Sequence, residues 1–241
     1  MQHLGRTRSS YQRDHLLHTP DTFVRAPLPG MTRATAIVHA APAMGAGFTQ
    51  YSVELESGGS FHLGQAQSFV YVLEGAVNCH GEDLTPHTYA WFPPDHAVLV
   101  SSNQGARVTV IEKQHSALNG AVPRYLTGDA RSVSSEALLG DEAVEVRHLL
   151  PDDFAFDCAV NTMTFQPGAT LPMVEIHVME HGLLMLEGEG IYRLGESWHP
   201  VKAGDFIWMA PYCPQWFCAV GKVPAKYLIY KDWNRHPLTA Q

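Results

Sequence analysis

The segment Glu175-Ile176-His177-Val178-Met179-Glu180-His181, followed by Gly182-Leu183-Leu184-Met185-Leu186-Glu187-Gly188, decides how the rest of the chain is read. It sets three metal-ligand side chains, Glu175, His177 and His181, at offsets of two and then four. Along a strand, residues two apart project from one face, so all three could look into a single pocket. Along a helix, His177 and His181 would share a face at i, i+4 instead. Spacing alone leaves both open. The sequence downstream favours strands, because Gly188 is followed by a second block, Gly204-Asp205-Phe206-Ile207-Trp208-Met209-Ala210-Pro211-Tyr212-Cys213-Pro214-Gln215.

Upstream, short runs rich in Val, Tyr and Phe alternate with turn residues. Thr35–His39, Gln50–Leu55 and Phe69–Leu73 are such runs, punctuated by Gly58-Gly59, Glu74-Gly75 and Pro93-Pro94-Asp95. This regular spacing predicts an all-β sandwich or barrel. Only Ser132–Leu139 carries a helical period. The chain also repeats itself. Tyr51–Gly58 parallels Asn161–Gly168, Val72–Gly75 parallels Met185–Gly188, Trp91–Pro94 parallels Trp208–Pro211, and Val110–Lys113 parallels Leu228–Lys231. The offset drifts only from 110 (Tyr51 to Asn161) to 118 (Val110 to Leu228), as a duplication with small loop changes would give. The expected organisation is an arm over residues 1–30, a first barrel over 31–113, a connector over 114–141 and a second barrel over 142–241. The arm should be irregular, laid over a barrel or a neighbouring subunit.

The duplication gives an internal control for the metal site. Counting back from Gly75 puts His62, Gly64 and Ser68 opposite Glu175, His177 and His181; counting forward from Gly58 puts Gln65, Gln67 and Tyr71 there. Val98 stands where the second half has Gln215. Neither register yields a ligand set, so the first barrel is expected to be metal-free and structural, leaving one site per chain.

The two blocks resemble the paired motifs of the cupin superfamily, so a bicupin of two tandem double-stranded β-helix (jelly-roll) barrels is expected. Glu175 takes the place of the usual first histidine, His181 that of the usual glutamate, and Gln215 that of the last histidine. This permuted set is similar to that of the (S)-ureidoglycine aminohydrolases, manganese-binding bicupins of purine-ureide (allantoin) breakdown. The likeness runs from Arg13-Asp14-His15-Leu16-Leu17 to Lys231-Asp232-Trp233-Asn234-Arg235. It implies one Mn²⁺ per chain on Glu175, His177, His181 and Gln215, with Tyr192, Tyr227 and Lys231 lining the substrate pocket and acting with Glu175 in catalysis. The implied activity is hydrolytic release of ammonia from (S)-ureidoglycine, giving (S)-ureidoglycolate. One carboxylate against a divalent cation leaves a positive site that suits an anionic ureide. A mixed oxygen and nitrogen set suits octahedral Mn²⁺, though Fe²⁺, Co²⁺, Ni²⁺ or Zn²⁺ could occupy it. Tyr227 and Lys231, four apart, face the same side of a strand, and a lysine facing a barrel interior is costly unless paired. Lys113, matched to Lys231 by the repeat, cautions that lysine there could be a habit of the fold. Two other readings stay open: another metal-dependent cupin enzyme (a dioxygenase or sugar isomerase) and a non-catalytic ligand-binding bicupin.

Composition narrows the field. Formal net charge is -8, with no basic run, which argues against nucleic acid and anionic membranes as partners. No stretch nears eighteen consecutive apolar residues, and Met1–Arg13 has no apolar core like that of a signal peptide. A cytoplasmic location is the default expectation. The four cysteines, Cys79, Cys158, Cys213 and Cys218, form no C-x-x-C pair and are expected to be free thiols. A partly apolar barrel exterior predicts a homo-oligomer with closed symmetry.

Overall fold

The computed structural model describes residues 5–235. Their regular structure is twenty strands and two single-turn 3-10 segments, Pro20–Thr22 and Pro42–Met44. The helical period over 132–139 is not realised: Glu136–Leu138 is a strand paired antiparallel with Asp141–His148. Three residues beside a ready strand edge gain ladder hydrogen bonds that an isolated helical turn cannot match.

The chain divides into two compact units, one of residues 24–133 and 153–157, the other of 5–23, 134–152 and 158–235. The first is a nine-stranded sheet in which Ala106–Lys113 lies between Thr49–His62 and Gln67–Gly75. The second has an eight-stranded sheet, with Ala225–Asp232 between Cys158–Phe165 and His181–Glu187, and a three-stranded sheet centred on Glu189–Leu194. Each has its own apolar core. Val53, Val70, Val108 and Val110 centre the first, and Phe165, Leu183, Tyr227 and Phe217 the second. The connector supplies a strand to each unit, Leu126–Asp129 to the first and Glu136–Leu138 to the second.

The stretch read as an irregular arm is partly a strand. His15–His18 alternates buried and half-buried residues and pairs with Phe206–Met209, covering what would otherwise be a bare edge. It is pinned further by Arg8, whose guanidinium donates to both carboxylate oxygens of the fully buried Asp205 at 2.6 and 2.8 Å.

The strand ladders fix the repeat more finely than sequence matching does. Leu55 and Phe165 are counterparts in the repeat; Ala106 lies across from Leu55, and Ala225 across from Phe165. The last strands are therefore offset by 119 residues (Ala106 to Ala225), one more than the sequence match assumes. Since a slip of one residue turns every side chain to the other face, the counterpart of Lys231 is Glu112, and Lys113 matches Asp232. Across the ladder Glu112 opposes Ser68 and Lys231 opposes His181, which makes Ser68 the counterpart of His181, as counting back from Gly75 has it.

Candidate active site

In the second unit, Glu175–Glu180 is neither strand nor helix. Glu175 makes a single bridge to Gln215, with N–H···O=C bonds of 2.8 and 3.0 Å in the two directions, and His181 opens the next strand. A loop folded on the Gln215 strand, not side-chain alternation, thus gathers the motif. Tyr212, in a left-handed turn at φ 64°, donates its N–H to the His177 carbonyl at 2.7 Å and holds the loop's middle.

The four side chains meet. His177 Nε2 is 3.3 Å from His181 Nε2, 3.8 Å from Glu175 Oε2 and accepts from Gln215 Nε2 at 2.8 Å. His181 donates from Nδ1 to the Tyr230 carbonyl at 3.3 Å, so its Nε2 presents a lone pair inward. The Gln215 amide likewise marks His177 Nε2 as a lone pair. Two imidazole lone pairs at 3.3 Å repel, and a cation between them would relieve that repulsion. Ligands about 2.1 Å from an octahedral ion lie roughly 3 Å apart along each edge, close to the separations found, and an amide can turn its oxygen to the ion. Burial, then the neighbouring His177 and Lys231, lower the His181 pKa to about 3, so the ring is neutral and able to ligate. The residues present fit a divalent cation.

Leu138, Met163, Leu171, Met179 and Ile229 complete an apolar wall around a cavity of about 160 Å³, into which Tyr192, Tyr227 and Lys231 also project. Glu175 is its one carboxylate. Tyr192 donates to Gln215 Oε1 at 3.4 Å and Tyr227 to the Met163 thioether at 3.4 Å, both long contacts. Burial drives both phenols well above the ordinary tyrosine range, with Glu175 adding to it, so they stay protonated. Protonated, each phenol has an O–H to donate.

Lys231 is half-buried, and desolvation lowers its pKa against the opposing pull of Glu175, Asp152 and Glu136. No carboxylate lies within ion-pair distance of its ammonium among the described residues; Nζ sits 4.6 Å from the centre of the Trp233 ring. Lys113 is different. It pairs at 2.6 Å with the fully buried Asp157, which also accepts from Gln67 and from the Ser116 N–H.

In the first unit the matching place is filled. Glu112 Oε1 accepts from the Gly64 N–H at 2.9 Å and from Tyr51 at 3.2 Å, and Gly64 and Ser68 stand where the second unit has His177 and His181. His62 is exposed and Val98 is buried in the apolar core.

Sequence reasoning missed a second cluster of ligand-type residues, none of which is among the side chains lining the cavity. Asp14, His15 and Cys213 bring ligand-type atoms within 4.8 Å of one another and could hold a metal ion. His15 Nδ1 is already bonded to Asp14 Oδ1 at 2.9 Å, and burial followed by Asp14 pushes the Cys213 thiol up to about 11. Only the fold joins residues so far apart in sequence. Trp233 was overlooked as well, although its place two residues after Lys231 was a usable signal.

These features define a cupin protein: residues 161–230 match the cupin domain family. The fold is shared with oxalate decarboxylase from Bacillus subtilis at a TM-score of 0.70 and 12% identity, over 94% of this chain and 78% of that one. The crystal structure of the Escherichia coli protein Ylba superposes at a TM-score of 0.85 with 27% identity, over 97% of each chain. The (S)-ureidoglycine aminohydrolase of Arabidopsis thaliana is 40% identical over 97% of this chain and 80% of its own length. The chain belongs to the (S)-ureidoglycine aminohydrolase family. Among the described residues no helix is long and apolar enough to cross a membrane.

Proposed function

We infer that this chain releases ammonia from (S)-ureidoglycine by hydrolysis, giving (S)-ureidoglycolate, with Mn²⁺ held by Glu175, His177, His181 and Gln215. The observation that carries the reading is 40% identity, over nearly the whole chain, to an enzyme named for that reaction. The convergence of the four side chains on one small cavity, beside a lysine with no carboxylate at ion-pair distance among the described residues, supports it. A bound divalent cation would supply positive charge and a fixed template for an anionic substrate.

The substrate carbon carries an amine, a ureido group and a carboxylate. Lys231 pairs with the carboxylate. Tyr192 and Tyr227 donate to the ureido oxygen, which they can do because their acceptors in the free pocket are poor: a distant amide oxygen and a thioether. The ureido nitrogen expels the amine as ammonia once it carries its extra proton, and water adds to the C=N carbon so formed. That water's proton goes to Glu175. A cavity closed on several sides by apolar residues holds the intermediate in one orientation, so water adds to one face and the configuration is kept.

Freshly prepared ureidoglycine should yield ammonia and a single enantiomer of ureidoglycolate, while allantoate is inert. Activity lost on chelation should return best with Mn²⁺. Oxygen uptake in place of ammonia release would overturn the reading in favour of an oxidative cupin.

A further inference from the structure

The two lysines at the ends of the equivalent strands are neutralised in different ways. The fully buried Asp157 pairs with Lys113 at 2.6 Å, so that ammonium's charge is met by a carboxylate. Around Lys231 the same task falls to an aromatic face: Nζ lies 4.6 Å from the centre of the Trp233 ring, within cation–π range. Trp233 is itself fixed, since its indole N–H donates to Asp152 Oδ1 at 2.8 Å. The ring attracts the cation without accepting any of its three N–H bonds, so all of them remain for an incoming anion. A carboxylate in the ring's place would compete with the substrate for the same hydrogen bonds. With no partner at all, a half-buried ammonium on a flexible four-carbon stem would neutralise or swing toward water.

We propose that Trp233, anchored by Asp152, is a positioning residue that holds the Lys231 ammonium ready for the substrate carboxylate and thereby sets substrate affinity. This rests on the reading of Lys231 as the carboxylate's partner. Trp233 touches Lys231 and is assigned no contact with the reacting atoms.

The test is a double-mutant cycle on the metal-loaded enzyme. KM and kcat for ammonia release are measured in wild type, Trp233→Leu, Trp233→Phe, Asp152→Ala, Lys231→Met and Trp233→Leu/Lys231→Met, with metal content and Tm from the same samples. Losing the ring face should raise KM about 5–20-fold, the equivalent of a desolvated cation–π contact, with kcat within about 3-fold. Trp233→Phe should recover most of that loss, and Asp152→Ala should give a smaller rise, about 2–5-fold. In the Lys231→Met background Trp233→Leu should have no further effect, because its action passes through the ammonium. Calorimetric Kd values for ureidoglycolate should move in parallel with KM. An equal Trp233→Leu penalty with and without Lys231, or a Phe variant as impaired as Leu, overturns the proposal. Should Trp233→Leu fail to fold, the Asp152→Ala effect and its disappearance in Lys231→Met decide the matter on the same terms. Wild type that releases no ammonia, or a silent Lys231→Met, defeats the underlying reading and this proposal with it. An active wild type with an impaired Lys231→Met and a silent Trp233→Leu defeats this proposal alone.

Discussion

The ammonium of Lys231 has no carboxylate at ion-pair distance among the described residues, whereas that of Lys113 sits 2.6 Å from Asp157. Opposite consequences follow for substituting each. Lys231→Met should fold, keep its metal and lose about 10²–10³ in kcat/KM, the usual worth of a preorganised polar donor in a dry site. Ammonia release and elemental analysis on one preparation check this, and unchanged turnover would remove Lys231 from the site. Lys113→Met should leave the chemistry alone and cost about 3 kcal/mol of stability, because it strands a buried carboxylate. The pH dependence follows from the same pair. Burial alone would raise the Asp157 pKa, but Gln67, Lys113 and the Ser116 amide outweigh it and hold the carboxyl below its ordinary value. A depressed pKa contributes stability that is present above the unfolded value, near 4, and is lost as pH falls through the folded one. Wild type should therefore lose stability on acidification below about pH 4, and Lys113→Met should show a flatter profile there. Denaturant midpoints across that range would reveal a slope unaffected by the substitution, if the pairing is unimportant.

At the scale of elements, what could be read in the sequence was the alternation of apolar runs and glycine turns, and hence the strands and their duplication. The one-residue error that matched Lys113 to Lys231 was invisible there, because Val110–Lys113 and Leu228–Lys231 look alike in composition. Only the ladders, with Ala106 opposite Leu55 and Ala225 opposite Phe165, show that the two lysines face opposite ways. The loop from Glu175 to Glu180 was equally hidden, since its shape is set by the contacts with Gln215 and Tyr212. The turn glycines were legible, and the structure gives their reason. Gly75 and Gly188 each follow a strand irregularity, at Leu73 and Leu186, and lie at φ of +70° and +69°. A Cβ on Gly188 would come within 2.4 Å of the Pro224 carbonyl oxygen, and one on Gly75 within 2.3 Å of that of Gly105. Backbone cannot yield as a side-chain tip can, so Gly188→Ala should cost roughly 2–4 kcal/mol from strain and overlap together. Thermal unfolding of Gly75→Ala and Gly188→Ala should show comparable losses, one from each unit. A neutral Gly188→Ala would mean that the turn is not required.

For the whole molecule, the two units come from one duplicated pattern, and among the described residues the Glu175, His177, His181 and Gln215 side chains converge in the second while Glu112 fills the matching place in the first, so the count of bound metal tests the assignment directly. Purified protein should carry one divalent ion per chain. His177→Ala should lose it, because that imidazole's Nε2 lies within 3.8 Å of a donor atom from each of the other three side chains. His62→Ala should keep it, since His62 is exposed and its unit fills the matching place with Glu112. The cluster of Asp14, His15 and Cys213 makes the count informative. Its thiol, held near 11 by burial and Asp14, must lose a proton to bind an ion, whereas the His181 ring is neutral already. Cys213→Ser should therefore leave the stoichiometry at one. Loss of the ion from Cys213→Ser with retention in His177→Ala would move the metal to the cluster and leave the cavity without a template. A second ion in wild type, lost only from Cys213→Ser, would instead keep the active-site assignment and add a structural site where the His15–His18 strand joins its sheet.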